Sequence, residues 1–155
     1  MKILLDVAFV GVLLYVSICD WKTMEIPNKC HGMILLLGVL DLLVQPEISI
    51  WARLTGAACI SVPMLLVTIV IPDGFGGGDI KLLFAGGFFL GWKRMVVGAF
   101  LGFVAGGAYG VWLLLSGRKG RKDQFAFGPF LCVGMTAALI VGTTLFDWYA
   151  ASLTF

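Results

Sequence analysis

Long apolar runs alternate with short polar breaks along the whole chain. The runs extend from about Ile3 to Cys19, Cys30 to Val44, Ile50 to Ile71, Ile80 to Trp92, Met95 to Ser116 and Phe127 to Trp148. A helix needs roughly 20 apolar residues to cross a bilayer core of about 30 Å. The runs lack the strict alternation of a barrel strand, and an open sheet edge would leave backbone groups unpaired in lipid. The pattern therefore predicts an all-α fold: a polytopic membrane helix bundle of about six transmembrane helices, with residues 1–155 as one membrane-embedded domain.

The fourth run is too short for a simple crossing. Ile80 to Trp92 holds 13 residues, which is roughly 20 Å at about 1.5 Å per residue. The shortage is met if the Gly-rich break ahead of it lies below the membrane surface, at the base of a wet cleft. Irregular backbone is tolerated at that depth only where protein or a water-filled cavity covers it. In the fifth run Gly98, Gly102, Gly106 and Gly110 recur every four residues, so they share one helical face and let a neighbouring backbone come close. Pro63 predicts a kink in the third helix, and Pro46 and Pro72 predict helix ends.

Composition strengthens the membrane reading. Hydrophobic residues make up 60% of the 155, charged residues only 13%, and the mean hydropathy is +1.02, far from the balance of a soluble domain. A net charge of +2 is too small to suggest a nucleic-acid partner, and the basic residues sit at segment ends where topology accounts for them. With the break around Asp20 placed in the cytoplasm, seven Lys and Arg fall inside (Lys22, Lys29, Lys81, Arg118, Lys119, Arg121, Lys122) and four outside (Lys2, Arg53, Lys93, Arg94). That asymmetry favours both termini outside. Asp6, Asp41, Glu47 and Asp147 then fall at outer helix ends, where water or headgroups solvate them.

Cys19, Cys30, Cys59 and Cys132 form no Cys-x-x-Cys pair and read as small apolar residues, not a zinc site or disulfide frame. The lone His31 at a helix start reads as a cap or interfacial group. No small-residue cleavage site follows residues 3–19, so that run is a membrane helix and not a secretory signal.

Two aspartates stand out. Asp20 opens Asp20-Trp21-Lys22-Thr23-Met24-Glu25-Ile26-Pro27-Asn28, and Asp79 closes Gly74-Phe75-Gly76-Gly77-Gly78-Asp79. A carboxylate near hydrocarbon is costly to ionise and is seldom there without a partner or a function. Two crossings separate the breaks, so both acids face the same side. Two charges about 4 Å apart repel by about 4 kcal/mol at an effective dielectric of 20, which binds the second proton roughly a thousandfold more tightly. A pair sharing one proton can activate water against a peptide bond. The glycines permit unusual backbone and leave room for an extended peptide beside Asp79; otherwise the segment is a turn and Asp79 a cap. Ile26-Pro27 is a stiff extended element with Asn28 as N-cap. Glu25, Asp73 and Asp123 are weak candidates for steering a basic peptide. The Arg118 to Lys122 cluster reads as a topology signal contacting anionic lipid, and Lys22 and Lys81 either tune the acids or contact lipid phosphates.

Asp20-x-Lys22-x-x-x-Ile26-Pro27-Asn28 and Gly76-x-Gly78-Asp79-x-Lys81-Leu82 resemble the paired motifs of the type IV prepilin peptidase family, membrane aspartic proteases of the GxGD kind. Phe127-Gly128-Pro129-Phe130-Leu131 resembles the motif at the start of that family's last helix. The resemblance covers nearly the whole chain. It implies a prepilin leader peptidase in the bacterial inner membrane, with its site facing the cytoplasm, removing a short basic leader from prepilins or pilin-like precursors. Asp20 and Asp79 take the catalytic positions; Gly76, Gly77, Gly78, Lys22, Pro27, Asn28 and Lys81 bind substrate or shape the site. No metal and no cofactor are expected, and the partners are precursor proteins and membrane lipid. Larger members also methylate the new amino terminus through an added region. Only 19 residues precede Asp20, so leader cleavage without methyl transfer is expected. The alternative is a small proton- or cation-coupled transporter using the same acids.

Overall fold

The computed structural model describes residues 1–71, 75–117 and 125–153. The expectations placed on Pro72, Asp73, Gly74, Arg118, Lys119, Arg121, Lys122 and Asp123 lie outside them. Six helices follow one another: α1 Lys2–Thr23, α2 Asn28–Val44, α3 Ile50–Val70, α4 Gly77–Leu90, α5 Trp92–Leu115 and α6 Gly128–Ser152. Four of them, α1, α3, α5 and α6, are long and apolar enough to cross a membrane, which makes this an integral membrane protein. The other two, α2 with 17 residues and α4 with 14, are shorter.

Apolar side chains face both ways. Phe9, Leu13, Ile34, Leu82, Leu83, Met95, Leu131 and Met135 are buried in one core, while Leu4, Leu14, Leu36, Leu66, Phe100 and Ile140 are exposed. A soluble protein would not carry that outer layer, but lipid solvates it. Phe9 of α1 stacks on Phe89 of α4 with ring centroids 4.2 Å apart.

Glycine contacts set the helix spacing. A Cβ on Gly98 would lie 3.2 Å from the Gly134 carbonyl, and one on Gly102 would lie 3.1 Å from Leu131 Cα. Gly106 and Gly110 lie under the rings of Phe127 and Phe125. The four-residue glycine period is thus the face that α5 presents to α6. Between α3 and α4, a Cβ on Gly56 would stand 2.5 Å from the Gly87 carbonyl, so backbone meets backbone there.

Element ends depart from the sequence reading for definable reasons. Helix α1 runs past Cys19 to Thr23, so Asp20 lies in its last turn and not in a break. Polar residues do not stop a helix; the Met24 N–H still donates to the Asp20 carbonyl at 2.9 Å, with Met24 left-handed at φ 54°. Pro27, at φ −60° and ψ 130°, is the N-cap of α2; Asn28 is its first residue and makes no capping bond. Helix α4 starts at Gly77, three residues before Ile80, so Asp79 is in its first turn and Gly76 is the N-cap. Gly91 alone joins α4 to α5 at φ +75°, a backbone region that other residues enter only with strain.

The largest correction concerns Asp41 and Arg53. Both are buried, at 1% and 0% exposure, and their side chains pair at 2.8 Å. Arg53 Nη1 also donates to the Phe89 carbonyl at 3.2 Å, and Gln45 Nε2 donates to Asp41 Oδ1 at 2.7 Å. The short α4 ends inside the bundle, where its last carbonyls have no further helical partners. The Arg53 guanidinium supplies donors there, and Asp41 balances its charge. Glu47 is exposed and Asp147 pairs with Lys93 at the surface, in keeping with the solvated reading of those two.

Candidate active site

The end of α1, the connection before α2 and the starts of α4 and α6 converge at one end of the bundle. A polar cavity of about 370 Å³ opens there, lined by Asp20, Asp79, the three glycines, Asn28, Lys81 and the Met24 to Ile26 stretch. Both aspartates thus face one space.

Their surroundings differ. Asp20 is 6% exposed, and its Oδ2 accepts the backbone N–H of Gly128 at 2.9 Å. Gly128 opens α6 and is followed by Pro129, so this N–H is one of the unpaired donors of a helix start, a position that favours negative charge. A Cβ on Gly128 would lie 2.8 Å from Asp20 Oδ2, so only glycine permits the approach. Asp79 is half-buried, and its Oδ1 has no hydrogen-bond partner among the described residues. It stands outside the four membrane-length helices. Burial first, and the Asp20 charge second, push its carboxyl up to about 7.

The glycines act through close approach and not through unusual backbone. Gly76 has φ −65°, and the positive-φ glycines among the described residues are Gly91 and Gly117. A Cβ on Gly76 would lie 3.2 Å from Asp79 Oδ2, one on Gly78 would lie 3.2 Å from Ile26 Cβ, and Gly77 faces open space.

Other expected site residues divide. Lys81 Nζ donates to Asn28 Oδ1 at 3.0 Å, linking α4 to α2. Pro27 makes the extended entry to α2, and Glu25 lines the cavity. Lys22 is exposed and does not line it; two residues further along α1 its stem leaves from nearly the opposite face of the helix to Asp20. Two contributors were not assigned from sequence. Gly128 was legible only as part of a motif, although Gly-Pro at the head of an apolar run signals a helix start with free N–H groups. His31 is not interfacial: it is 6% exposed and its Nε2 lies 3.1 Å from the Gly78 carbonyl. A second cavity of about 640 Å³, almost wholly apolar, lies between α2, α3 and α4 and shares Asn28, Gly77 and Lys81 with the polar one.

Among the described residues, no group of three or more His, Cys, Asp or Glu could hold a metal ion. The site's chemistry is that of two carboxyl groups in unequal environments. One accepts the backbone N–H of a helix start; the other has no such donor on Oδ1 among the described residues and is poised near neutrality.

A family model described as the type IV leader peptidase family matches residues 7–111. The prepilin leader peptidase/N-methyltransferase of Bacillus subtilis (strain 168) is 31% identical over 143 residues, covering 92% of this chain and 58% of that protein. The protein of the same name from Burkholderia pseudomallei (strain 1026b) is 32% identical over 143 residues, covering 88% and 46%. That of Aeromonas hydrophila is 27% identical over 143 residues, covering 89% and 49%. The chain spans about half the length of these curated relatives. No solved structure matches it significantly.

Proposed function

The chain belongs to the type IV leader peptidase family, and from that premise we propose that it is a membrane aspartic endopeptidase that removes the basic leader from prepilins or pilin-like precursors. The observation that carries the reading is the meeting of Asp20 and Asp79 in one polar cavity at the bundle end. The relatives named prepilin leader peptidase/N-methyltransferase support the substrate class.

In the reaction Asp20, ionised and supported by the Gly128 N–H, takes a proton from water as that water attacks the scissile carbonyl. Asp79, protonated near neutral pH, donates a hydrogen bond to the carbonyl oxygen and later helps protonate the leaving amine. Their unequal environments support this division of roles, as in other carboxylate pairs. The Gly76 to Gly78 backbone leaves room for an extended peptide. The apolar cavity beside it receives the hydrophobic segment that follows the cleavage point, since the two cavities share Gly77. The asymmetry of Lys and Arg between alternate breaks of the sequence supports a cytoplasmic orientation in the bacterial inner membrane.

The test is co-expression of Asp20→Asn and Asp79→Asn with a candidate prepilin, reading the precursor's new amino terminus by mass spectrometry. Asparagine keeps the shape but cannot exchange the proton. Each variant is expected to accumulate in the membrane and to leave the leader in place; normal cleavage by either one overturns the dyad.

A further inference from the structure

The turn that carries Asp79 has little to hold it. Gly76, Gly77 and Gly78 bring no side chains to pack, and glycine backbone has the most freedom to lose. Asp79 Oδ1 has no partner among the described residues, so the carboxyl does not anchor itself. The restraint on its position has to come through the backbone. Among the described residues, the one side chain that hydrogen-bonds to the backbone of 76–80 is His31, from the first turn of α2.

The contact is well suited to that task. The Gly78 carbonyl is immediately ahead of Asp79 and can only accept, so the imidazole carries its hydrogen on Nε2. A carbonyl has two lone pairs, so this bond adds to the helical one. His31 is 6% exposed and the bond itself is half-buried, so water competes with it less than with a surface contact. The other polar link between α2 and α4, Lys81 to Asn28, is exposed and correspondingly weak.

We propose that His31 is a positioning residue for the aspartate pair: its Nε2–H pins the first turn of α4 to α2 and so sets Asp79 against Asp20. The inference rests on the dyad reading above. His31 also lines the apolar cavity given to the hydrophobic segment, so the positioning role, which passes through the Gly78 carbonyl, is read in kcat and not in KM.

The test measures kcat and KM for leader cleavage by the full-length protein in detergent, on a synthetic precursor peptide, for His31→Leu, His31→Gln and His31→Asn. Thermal unfolding of each variant is recorded alongside. Glutamine places an N–H near the position of Nε2, whereas asparagine reaches only as far as Nδ1. Displacing a reacting group by about 1 Å can cost about a hundredfold, so His31→Leu and His31→Asn are expected to lose about ten- to a hundredfold in kcat, beyond any change in KM that the altered cavity wall brings. His31→Gln is expected to recover most of the rate. Should His31→Leu fail to fold, the Gln and Asn variants still decide. Equal rates for Gln and Asn, an unchanged kcat in Leu, or a loss confined to KM each overturn the proposal. Asp20→Asn and Asp79→Asn run in the same assay: cleavage by either sinks the dyad itself, whereas two inactive dyad variants beside a fully active His31→Leu sink only the positioning role.

Discussion

Gly128 donates its backbone N–H to the Asp20 carboxylate at 2.9 Å, across 108 positions of sequence. The bond ties the start of the last helix to the end of the first, and it explains why a glycine stands there. A Cβ at this position would lie 2.8 Å from Oδ2 and 3.1 Å from Cγ, so Gly128→Ala must push the carboxylate off its donor. We expect the variant to accumulate normally and to lose about a hundredfold in cleavage rate, the scale of a misplacement of about 1 Å. Retention of full activity would show that the N–H contact is not needed for the reaction.

The Gly-rich turn makes a contrast inside one motif. Gly76→Ala brings a methyl to 3.2 Å from Asp79 Oδ2, whereas Gly77→Ala projects into open space on the cavity wall. The first is expected to lower kcat and displace the pH profile. The second is expected to leave the profile in place and to raise KM, because the methyl occupies room meant for peptide. Steady-state kinetics of the two variants across pH checks the split, and identical behaviour would count against close approach as the reason for these glycines.

At the other end of the bundle, the Asp41 and Arg53 pair predicts a stability effect without a catalytic one. Removing one partner of a buried ion pair costs about 3–5 kcal/mol, because the other charge stays uncompensated. Asp41→Leu should therefore lower the unfolding temperature in detergent sharply, and adding Arg53→Met should restore part of the loss. Full recovery is not expected, since Arg53 also donates to the Phe89 carbonyl. The rate per folded molecule should stay close to that of the parent protein, measured as cleavage normalised to folded fraction.

How far the sequence could be read follows from the physics of each feature. The six helices were legible because apolar runs in lipid leave the backbone no alternative, and the glycine face of α5 was legible because its period matches the helix. Asp20 and Asp79 could be singled out because isolated acids in apolar surroundings stand out, and they line one cavity. Their helical placement was not legible, since polarity in the sequence marks a change of surroundings and not a break in backbone hydrogen bonding. Asp41 and Arg53 looked like ordinary helix-end charges; only the packing of α2 and α3 around the short α4 makes them partners. The Gly128 N–H and the His31 ring are likewise long-range polar contacts, whose meaning depends on which helix ends meet.

The pH dependence of cleavage tests the roles given to the two acids. Asp79 is held at about 7 from a starting value of 3.8 by burial and then by the Asp20 charge, so it keeps its proton through the mildly acidic range. Raising the pH through about 7 removes that proton, and the pair then has two bases and no acid. Cleavage should fall on the alkaline side, with the limb near neutrality. On the acid side, protonation of Asp20 removes the base and cleavage falls again, so kcat/KM against pH should be bell-shaped. The same shift has a consequence for folding, with the opposite sign to an ion-paired aspartate. In the unfolded chain Asp79 ionises near its ordinary value of about 3.9, so between about 4 and about 7 the folded state binds more protons than the unfolded one. This contribution to stability is full below about 4, declines as pH rises, and is gone above about 7. Asp79→Asn has no proton to lose, so its unfolding temperature should be flatter over that window than the parent's. An alkaline limb that stays level past pH 9, together with parallel stability curves for parent and variant, would place the shared proton somewhere other than Asp79.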